Sequence, residues 1–208
     1  MIQRLNTHGT IRRNINYWPA FVDTLMATLM IFMFQNFVQV TLNPDTLEIA
    51  RIRQSQEILQ KALKNKLKAD PDGQKIEFIQ SIDSLEIRFN DKILFDNDQA
   101  TIKDTGKRII RICSEVLYNN NHLFRLIQVE GHTNTQGGDT LEGKDHNWHL
   151  STERALAVVK QMIASNVNEA KLTASGYGQF HPVSASIDLN RRIDLKIEFS
   201  DAQRKSDR

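Results

Sequence analysis

The architecture of this chain is decided by residues 18–40, which spell WPAFVDTLMATLMIFMFQNFVQV. About 20 apolar residues are enough to cross the hydrocarbon core of a bilayer. The remaining sequence is polar, 25% of all 208 residues are charged, and the formal net charge is only +2. We therefore predict one membrane-spanning helix joined to a soluble domain. The composition excludes a multi-span channel and gives no sign of a nucleic-acid surface.

A cleaved signal peptide is the main alternative to a membrane anchor. The apolar core of a signal peptide is about 7–15 residues long and ends at small residues. Residues 18–40 are longer and carry Asp23, which favours an uncleaved anchor. Residues 1–17 contain three arginines and no acid, whereas Asp45 and Glu48 follow the span. Positive flanks stay in the cytoplasm, so we expect a cytoplasmic arm (1–17) and a periplasmic remainder, as in a single-pass protein of a bacterial inner membrane.

Asp23 is the unusual residue of the span. A carboxylate in the bilayer costs on the order of 3 kcal/mol unless it faces protein or water. One interpretation is a polar residue near the inner end that water reaches. The other is a group that takes up and releases a proton or cation between helices, with Thr24 and Thr28 adding hydroxyls. Since one helix cannot shield Asp23, the second interpretation implies a membrane partner.

Residues 45–70 predict a connector helix. Residues 45–68 contain no Gly or Pro, and Ile52, Leu59, Leu63 and Leu67 form a narrow apolar stripe at helical spacing. Such a stripe indicates either self-association or a spacer helix lying against its own domain. The sequence ADPDG at 69–73 ends this helix and marks the domain boundary.

Residues 75–200 predict a soluble α/β domain, an α+β sandwich with helices on one face, followed by a tail at 201–208. Alternating apolar residues predict a hairpin near Asp83 and further strands, and helical periodicity predicts two helices. The expected order is ββ-α-β-α-β-β, with strands at 76–80, 85–89, 124–131, 171–177 and 193–199, and helices at 101–118 and 150–164.

Five ordered motifs in this domain resemble the OmpA-like peptidoglycan-binding family. They are ILFD with ATI (93–102), VEGHTN (129–134), NWHLSTERA (147–155), SGYG (175–178) and NRRI (190–193). The resemblance covers residues 75–200. It implies a peptidoglycan site formed by Thr133, Asn134, Asn147, Leu150, Ser151 and Arg154.

The chemistry of these residues suits a zwitterionic peptide end such as diaminopimelate. Arg154 offers a planar fork to a carboxylate. Asn147, Leu150 and Ser151 are expected at a helix N-terminus, whose free amides favour an anion. The family usually has Asp where this chain has Asn134, so a negative charge is missing. The long segment 136–146 contains Asp139, Glu142 and Asp145, any of which is a candidate replacement.

The whole layout resembles MotB-type stator subunits. In that resemblance Asp23, with Thr24 beside it, takes the place of the proton-carrying carboxylate. The resemblance implies a homodimer with a multi-span MotA/ZorA-like partner, a transported proton or Na⁺, and no bound cofactor. The compact length, residues 24–28 and Asn134 point toward the ZorB type of the Zorya anti-phage defence system. A flagellar MotB-type stator and a passive peptidoglycan tether remain alternatives.

Other signals are weak. The histidines lack a metal-ligand spacing, so we expect no metal site. Ser151 lacks the context of a nucleophile and is interpreted as a capping residue. We expect Arg191 and Arg192 to fix the last strand, with binding of a ligand as the alternative. We expect Cys113 to be a small buried residue. No catalytic constellation is present, so an enzyme is not expected.

Overall fold

The computed structural model describes residues 16–41, 44–135 and 140–199, without the side chains of 44–46. The chain divides into two compact units, residues 1–46 and 47–208. Most of the predicted cytoplasmic arm, the predicted tail at 201–208 and the candidate Asp139 lie outside the described residues. The helices are α1 (Trp18–Thr41), α2 (Pro44–Leu67), α3 (Asp91–Leu94), α4 (Asp104–Asn119), α5 (Leu141–Ala164) and α6 (Ile187–Asn190). The strands are β1 (Glu77–Gln80), β2 (Ser84–Asn90), β3 (Leu126–His132), β4 (Leu172–Gly176) and β5 (Arg192–Glu198).

Helix α1 is long and apolar enough to cross a membrane. Its 24 residues correspond to a length of about 36 Å, which exceeds a hydrocarbon core of about 30 Å. None of its side chains is buried. The Thr24 hydroxyl donates to the Ala20 carbonyl at 2.8 Å, and the Thr28 hydroxyl donates to the Thr24 carbonyl at 2.6 Å. Both hydroxyls are thus satisfied within the helix.

The second unit contains a five-stranded mixed sheet in the order β1-β2-β5-β3-β4. β3 and β4 are parallel, and the other neighbouring pairs are antiparallel. This arrangement confirms the predicted α+β order. The four-residue helices α3 and α6 are additions that the sequence pattern did not indicate.

The inner face of the sheet forms the core. The alternation in β2 buries Leu85, Ile87 and Phe89, and β3 buries Ile127 and Val129 in register with β5. Helices α4 and α5 pack with this face, and Cys113 of α4 lies in the core with its side chain fully buried. The opposite face carries charged side chains, as expected for a sheet with one solvated side.

The apolar stripe of α2 packs against its own domain. Leu59, Leu63 and Leu67 are almost completely buried and belong to the same core cluster as the sheet. The side-chain amide of Gln56 donates to the carbonyls of Ser81 at 3.0 Å and Ser84 at 3.1 Å. Of the two interpretations of the stripe, the structure shows the spacer helix that lies against its own domain.

Helix α5 begins at Leu141, nine residues before the predicted start near Leu150. The hydroxyl of Thr140 caps it by accepting a hydrogen bond from the Gly143 amide at 3.1 Å. The first two turns are polar and carry no apolar stripe, which explains why periodicity missed them. The prediction that Asn147, Leu150 and Ser151 lie at a helix N-terminus is therefore wrong, because they lie in the body of α5.

Candidate ligand-binding site

Two glycines allow α5 to lie directly on the ends of β3 and β4. A Cβ atom at Gly131 would be 2.0 Å from the Ser151 carbonyl oxygen, and one at Gly176 would be 2.1 Å from the Thr152 hydroxyl. Real side chains do not tolerate such distances, so both positions require glycine. This close approach places the middle of α5 beside Thr133 and the residues that follow it.

A cavity of about 430 Å³ opens at this junction. Five of the six predicted peptidoglycan-site residues line it, namely Thr133, Asn134, Asn147, Leu150 and Arg154. The other lining residues are Asn97, Asp98, His146 and Arg191. The cavity draws its walls from segments far apart in the sequence, which is typical of ligand sites.

Arg154 forms the floor of the cavity and is only 1% exposed. Its Nε donates to the Gln99 carbonyl at 2.8 Å, Nη1 donates to Asp91 Oδ2 at 3.1 Å, and Nη2 contacts the Asp96 carbonyl at 3.4 Å. Burial lowers the pKa of this guanidinium, and the Asp91 carboxylate opposes that effect. Arg154 is therefore not the freely available fork that the sequence predicts, because part of its donor set is committed to the fold.

Asp91 is a functional candidate that the sequence analysis did not identify, and Arg191 is one that it assigned to the last strand. Arg191 Nε donates to Asp91 Oδ2 at 2.8 Å, so one carboxylate oxygen serves both Arg191 and Arg154. The other oxygen, Oδ1, has no hydrogen-bond partner in the described part of the chain. Two guanidiniums facing one carboxylate leave an excess positive charge, which favours a bound anion.

Both arginines of the NRRI motif join the start of the last strand to other segments. Arg192 Nη1 donates to the His181 carbonyl at 3.2 Å, and its Nε donates to Asp194 Oδ2 of the same strand at 2.7 Å. Arg191 pairs with Asp91 of α3 and also lines the cavity. No local motif could identify Asp91 as a site residue, because its partner Arg154 lies 63 residues away in the sequence.

The polar wall of the cavity is held by Asn147. Its amide donates to the Asn134 carbonyl at 3.2 Å and to Gln179 Oε1 at 2.7 Å. The Thr133 backbone amide donates to the Gly178 carbonyl at 2.9 Å. The buried Thr133 hydroxyl has no hydrogen-bond partner among the described residues. This hydroxyl is a donor or acceptor that a ligand or water can satisfy.

Ser151 has a structural role and does not line the cavity. Its hydroxyl donates to the Trp148 carbonyl at 2.9 Å and accepts from the Gly178 amide at 3.0 Å. It is completely buried. Ser151 therefore fixes the turn after β4 against α5.

The cavity contains a carboxylate that the sequence analysis did not consider. Asp98 lines the cavity, whereas Glu142 and Asp145, the two described candidates for the missing charge, do not. Asp98 Oδ1 lies 2.9 Å from His146 Nε2. Among the described residues, the negative charge at this site therefore comes from the segment after α3.

A second group of titratable residues lies on the outer face of the sheet. Ligand atoms of Glu130, His132 and Asp194 lie within 4.8 Å of one another. Both Asp194 oxygens already accept hydrogen bonds from arginines, Oδ1 from Arg88 at 3.0 Å and Oδ2 from Arg192 at 2.7 Å. Because these cations neutralise Asp194, the group is better described as an ion-pair network than as a metal centre.

A larger cavity of about 750 Å³ lies near β1 and β2. It is rich in basic residues, but these are already paired with carboxylates. Lys75 contacts Asp72 at 2.9 Å, and Lys92 contacts Asp188 at 3.0 Å. This cavity therefore lacks the excess charge found beside Arg154.

Asp23 and Thr24, the predicted ion-translocating residues, lie in the first unit on the exposed surface of α1. The helix by itself supplies no buried surroundings for the carboxylate.

The fold and the cavity define an OmpA-like domain, and residues 94–193 match the OmpA family. Motility protein B of Bacillus subtilis is 30% identical over 128 residues, which are 59% of this chain and 48% of that protein. The chain thus spans about half the length of this relative.

Two solved structures share the fold. A MotB-like protein from Desulfovibrio vulgaris has a TM-score of 0.64 at 16% identity, covering 73% of this chain and 99% of that one. The cell wall anchor of the T6SS from Pseudomonas aeruginosa has a TM-score of 0.55 at 23% identity, covering 66% and 97%. The names of these proteins refer to motility and to cell wall anchoring, and none refers to an enzymatic reaction.

Proposed function

We propose that the second unit binds peptidoglycan through the cavity between β3 and α5. The observation that carries this proposal is the floor of the cavity, where Arg154 and Arg191 share the single carboxylate of Asp91. The uncompensated positive charge recruits a carboxylate from the ligand. The similarity to a cell wall anchor supports a wall component as the source of that carboxylate.

The ligand is the peptide part of peptidoglycan. A diaminopimelate end presents a carboxylate and an ammonium on one carbon, so it needs a cation and acceptors close together. The cavity supplies both, because guanidiniums lie at its floor and the oxygens of Thr133, Asn134 and Asn147 lie along its wall. A volume of about 430 Å³ is enough for one amino-acid end of this size.

Co-sedimentation with insoluble peptidoglycan tests this site. The detergent-solubilised full chain is expected to sediment with sacculi, and Arg191→Ala is expected to remain mostly in the supernatant. Arg191 is 16% exposed, so its removal perturbs folding less than removal of the buried Arg154.

Arg125→Ala is the matched control for that experiment. Like Arg191→Ala, this variant loses one positive charge. The replaced side chain, Arg125, pairs with Glu198 at the other end of β3. Equal sedimentation of wild type, Arg191→Ala and Arg125→Ala would refute binding through this cavity.

We also propose that α1 crosses a bacterial inner membrane once, with its N-terminus in the cytoplasm, and that Asp23 carries the transported ion. The ion is a proton, with Na⁺ as the alternative, and Thr24 lies beside the carboxylate. The length of α1, its apolar surface and the cost of an unshielded carboxylate in lipid support this role. Shielding of Asp23 calls for a membrane partner, and the resemblance to MotB-type stators implies a homodimer within a multi-span partner of the MotA/ZorA type.

Together these features make the chain a wall-anchored stator subunit of an ion-driven motor. We propose the anti-phage role of the ZorB type, on the basis of residues 24–28 and Asn134. The similarity to motility protein B favours a flagellar stator as the second candidate.

Phage plating on cells that carry the native operon separates these functions. Wild type is expected to protect the cells, and Asp23→Asn is expected to lose protection at matched membrane levels. Equal protection by both would support a passive tether. If wild type gives no protection, a swimming assay with the same pair of chains tests the flagellar candidate.

A further inference from the structure

The charges of the ligand cavity are separated between its floor and its opening. The floor carries Arg154, 1% exposed, and Arg191, whose side chain is 16% exposed. Asp98 has a side chain that is 71% exposed. It is the one carboxylate among the described residues that line the cavity. The cavity thus presents cations at its floor and an anion toward solvent.

The backbone holds Asp98 in an uncommon conformation. Its φ angle is +57°, in the left-handed region that few residues other than glycine adopt. This conformation lies in the segment between α3 and α4 and turns the side chain toward α5, where Oδ1 lies 2.9 Å from His146 Nε2. Aspartate and asparagine tolerate this conformation best after glycine.

Electrostatics link Asp98 to the floor of the cavity. The carboxylate of Asp98 is close enough to stabilise the charged form of Arg154, whereas the neighbouring Arg191 destabilises it. A ligand group that spans the cavity therefore contacts both signs of charge. Asn134 and Asn147 contribute neutral amides to the wall between them.

We propose that Asp98 receives the ammonium of a zwitterionic amino-acid end whose carboxylate lies at Arg191 and Arg154. This inference rests on the proposed binding of peptidoglycan and names the residue that selects the ligand for its free amine. A ligand with the carboxylate alone satisfies the floor but makes no ion pair with Asp98, so it binds more weakly.

Two peptides test this assignment by calorimetry with the detergent-solubilised full chain. One is the tripeptide L-alanyl-γ-D-glutamyl-meso-diaminopimelate. The other is the same peptide with the distal amine of diaminopimelate acetylated, which removes the ammonium and keeps every carboxylate. Wild type is expected to bind the peptide with the free amine about five- to tenfold more tightly than the acetylated peptide. This ratio corresponds to an interaction stronger than an exposed ion pair and weaker than a buried hydrogen bond to a charged group.

Asp98→Asn is expected to bind both peptides with equal affinity, at the level at which wild type binds the acetylated one. Asparagine also accepts a positive φ, so the variant removes the charge and keeps the backbone. Glu142→Gln is the control, because Glu142 lies in the first turn of α5 but does not line the cavity. It is expected to keep the wild-type preference.

The possible failures are distinguishable. If wild type prefers the free amine and Asp98→Asn keeps that preference, the ammonium is bound elsewhere and the assignment of Asp98 is wrong. The assignment is also wrong if wild type binds both peptides equally. If wild type binds neither peptide, the proposed peptidoglycan function itself fails.

Discussion

At the scale of single residues, the contacts that matter most join distant parts of the chain. Asp70, just after α2, pairs with Arg108 of α4, with Nε and Oδ2 2.6 Å apart. This hydrogen bond holds the pKa of Asp70 below its ordinary value. A carboxyl group whose pKa is lower in the folded state stabilises the fold above its unfolded pKa of about 3.9. That contribution is lost as the pH falls through the lower, folded value.

Asp70→Asn is therefore expected to lower the free energy of unfolding at pH 7. The difference from wild type is expected to shrink as the pH falls below about 3.9, because protonation removes the same charge from wild type. Urea unfolding of the full chain at several pH values measures this. Glu57→Gln, an exposed site on α2, serves as the control, and a difference that is independent of pH would show that the ion pair is not its cause.

The residue scale also shows the limit of sequence analysis. Thr133, Asn134, Asn147, Leu150 and Arg154 were identified because their motifs are local. The pairing of Asp91 with two arginines and the contact of Asp98 with His146 join residues 48 or more positions apart. Short motifs contain no information about such contacts, so these acidic residues could only be found in the structure.

At the scale of secondary-structure elements, α2 belongs to the core of the second unit. Leu63 is completely buried in the α2–sheet interface. Leu63→Ala is expected to lower the free energy of unfolding by about 2–5 kcal/mol, because it removes buried methyl groups and leaves a cavity. Lys61→Ala, an exposed change on the same helix, is expected to stay within about 0.5 kcal/mol of wild type.

Urea unfolding at two protein concentrations completes that test. If Leu63 is buried within one chain, the loss in free energy of unfolding caused by Leu63→Ala is independent of protein concentration. A cost that grows with protein concentration and shrinks on dilution would instead support self-association through the stripe.

The approach of α5 to the strand ends gives a second prediction for the elements. Gly131→Ala places a methyl group against the Ser151 backbone, where an added Cβ would be 2.0 Å from the carbonyl oxygen. We expect a loss of about 1–3 kcal/mol in the free energy of unfolding, together with weaker peptidoglycan binding, because the cavity walls must move apart.

Ser175→Ala is the comparison for Gly131→Ala. Ser175 lies opposite Glu130 on the outer face of β4, so its removal leaves the junction with α5 unchanged. Unaltered stability of Gly131→Ala would contradict the close packing of α5 on β3.

The elements differ in how far the sequence predicted them. The apolar residues of β2, β5 and α4 follow a strict periodicity. These three elements therefore lie where they were expected. The start of α5 was missed because its cap, Thr140, is followed by two polar turns. The burial of the α2 stripe could not be decided, since a narrow apolar stripe suits a second chain as well as its own domain.

At the scale of the whole molecule, one chain carries a candidate ion-carrying residue in its first unit and a candidate wall site in its second. In the proposed role, a stator does mechanical work only if it is held in place, so we expect protection against phage to need both sites. The Arg191→Ala chain keeps an intact α1 and Asp23. It is nevertheless expected to protect against phage no better than the Asp23→Asn chain.

Plating efficiency at matched membrane levels measures this dependence, with Arg125→Ala expected to protect like wild type. Full protection by an Arg191→Ala chain that no longer sediments with peptidoglycan would show that wall anchoring is dispensable. In that case the ion pathway at Asp23 acts without the second unit as an anchor. Loss of protection with Arg191→Ala but not with Asp23→Asn would instead assign the whole function to the wall site.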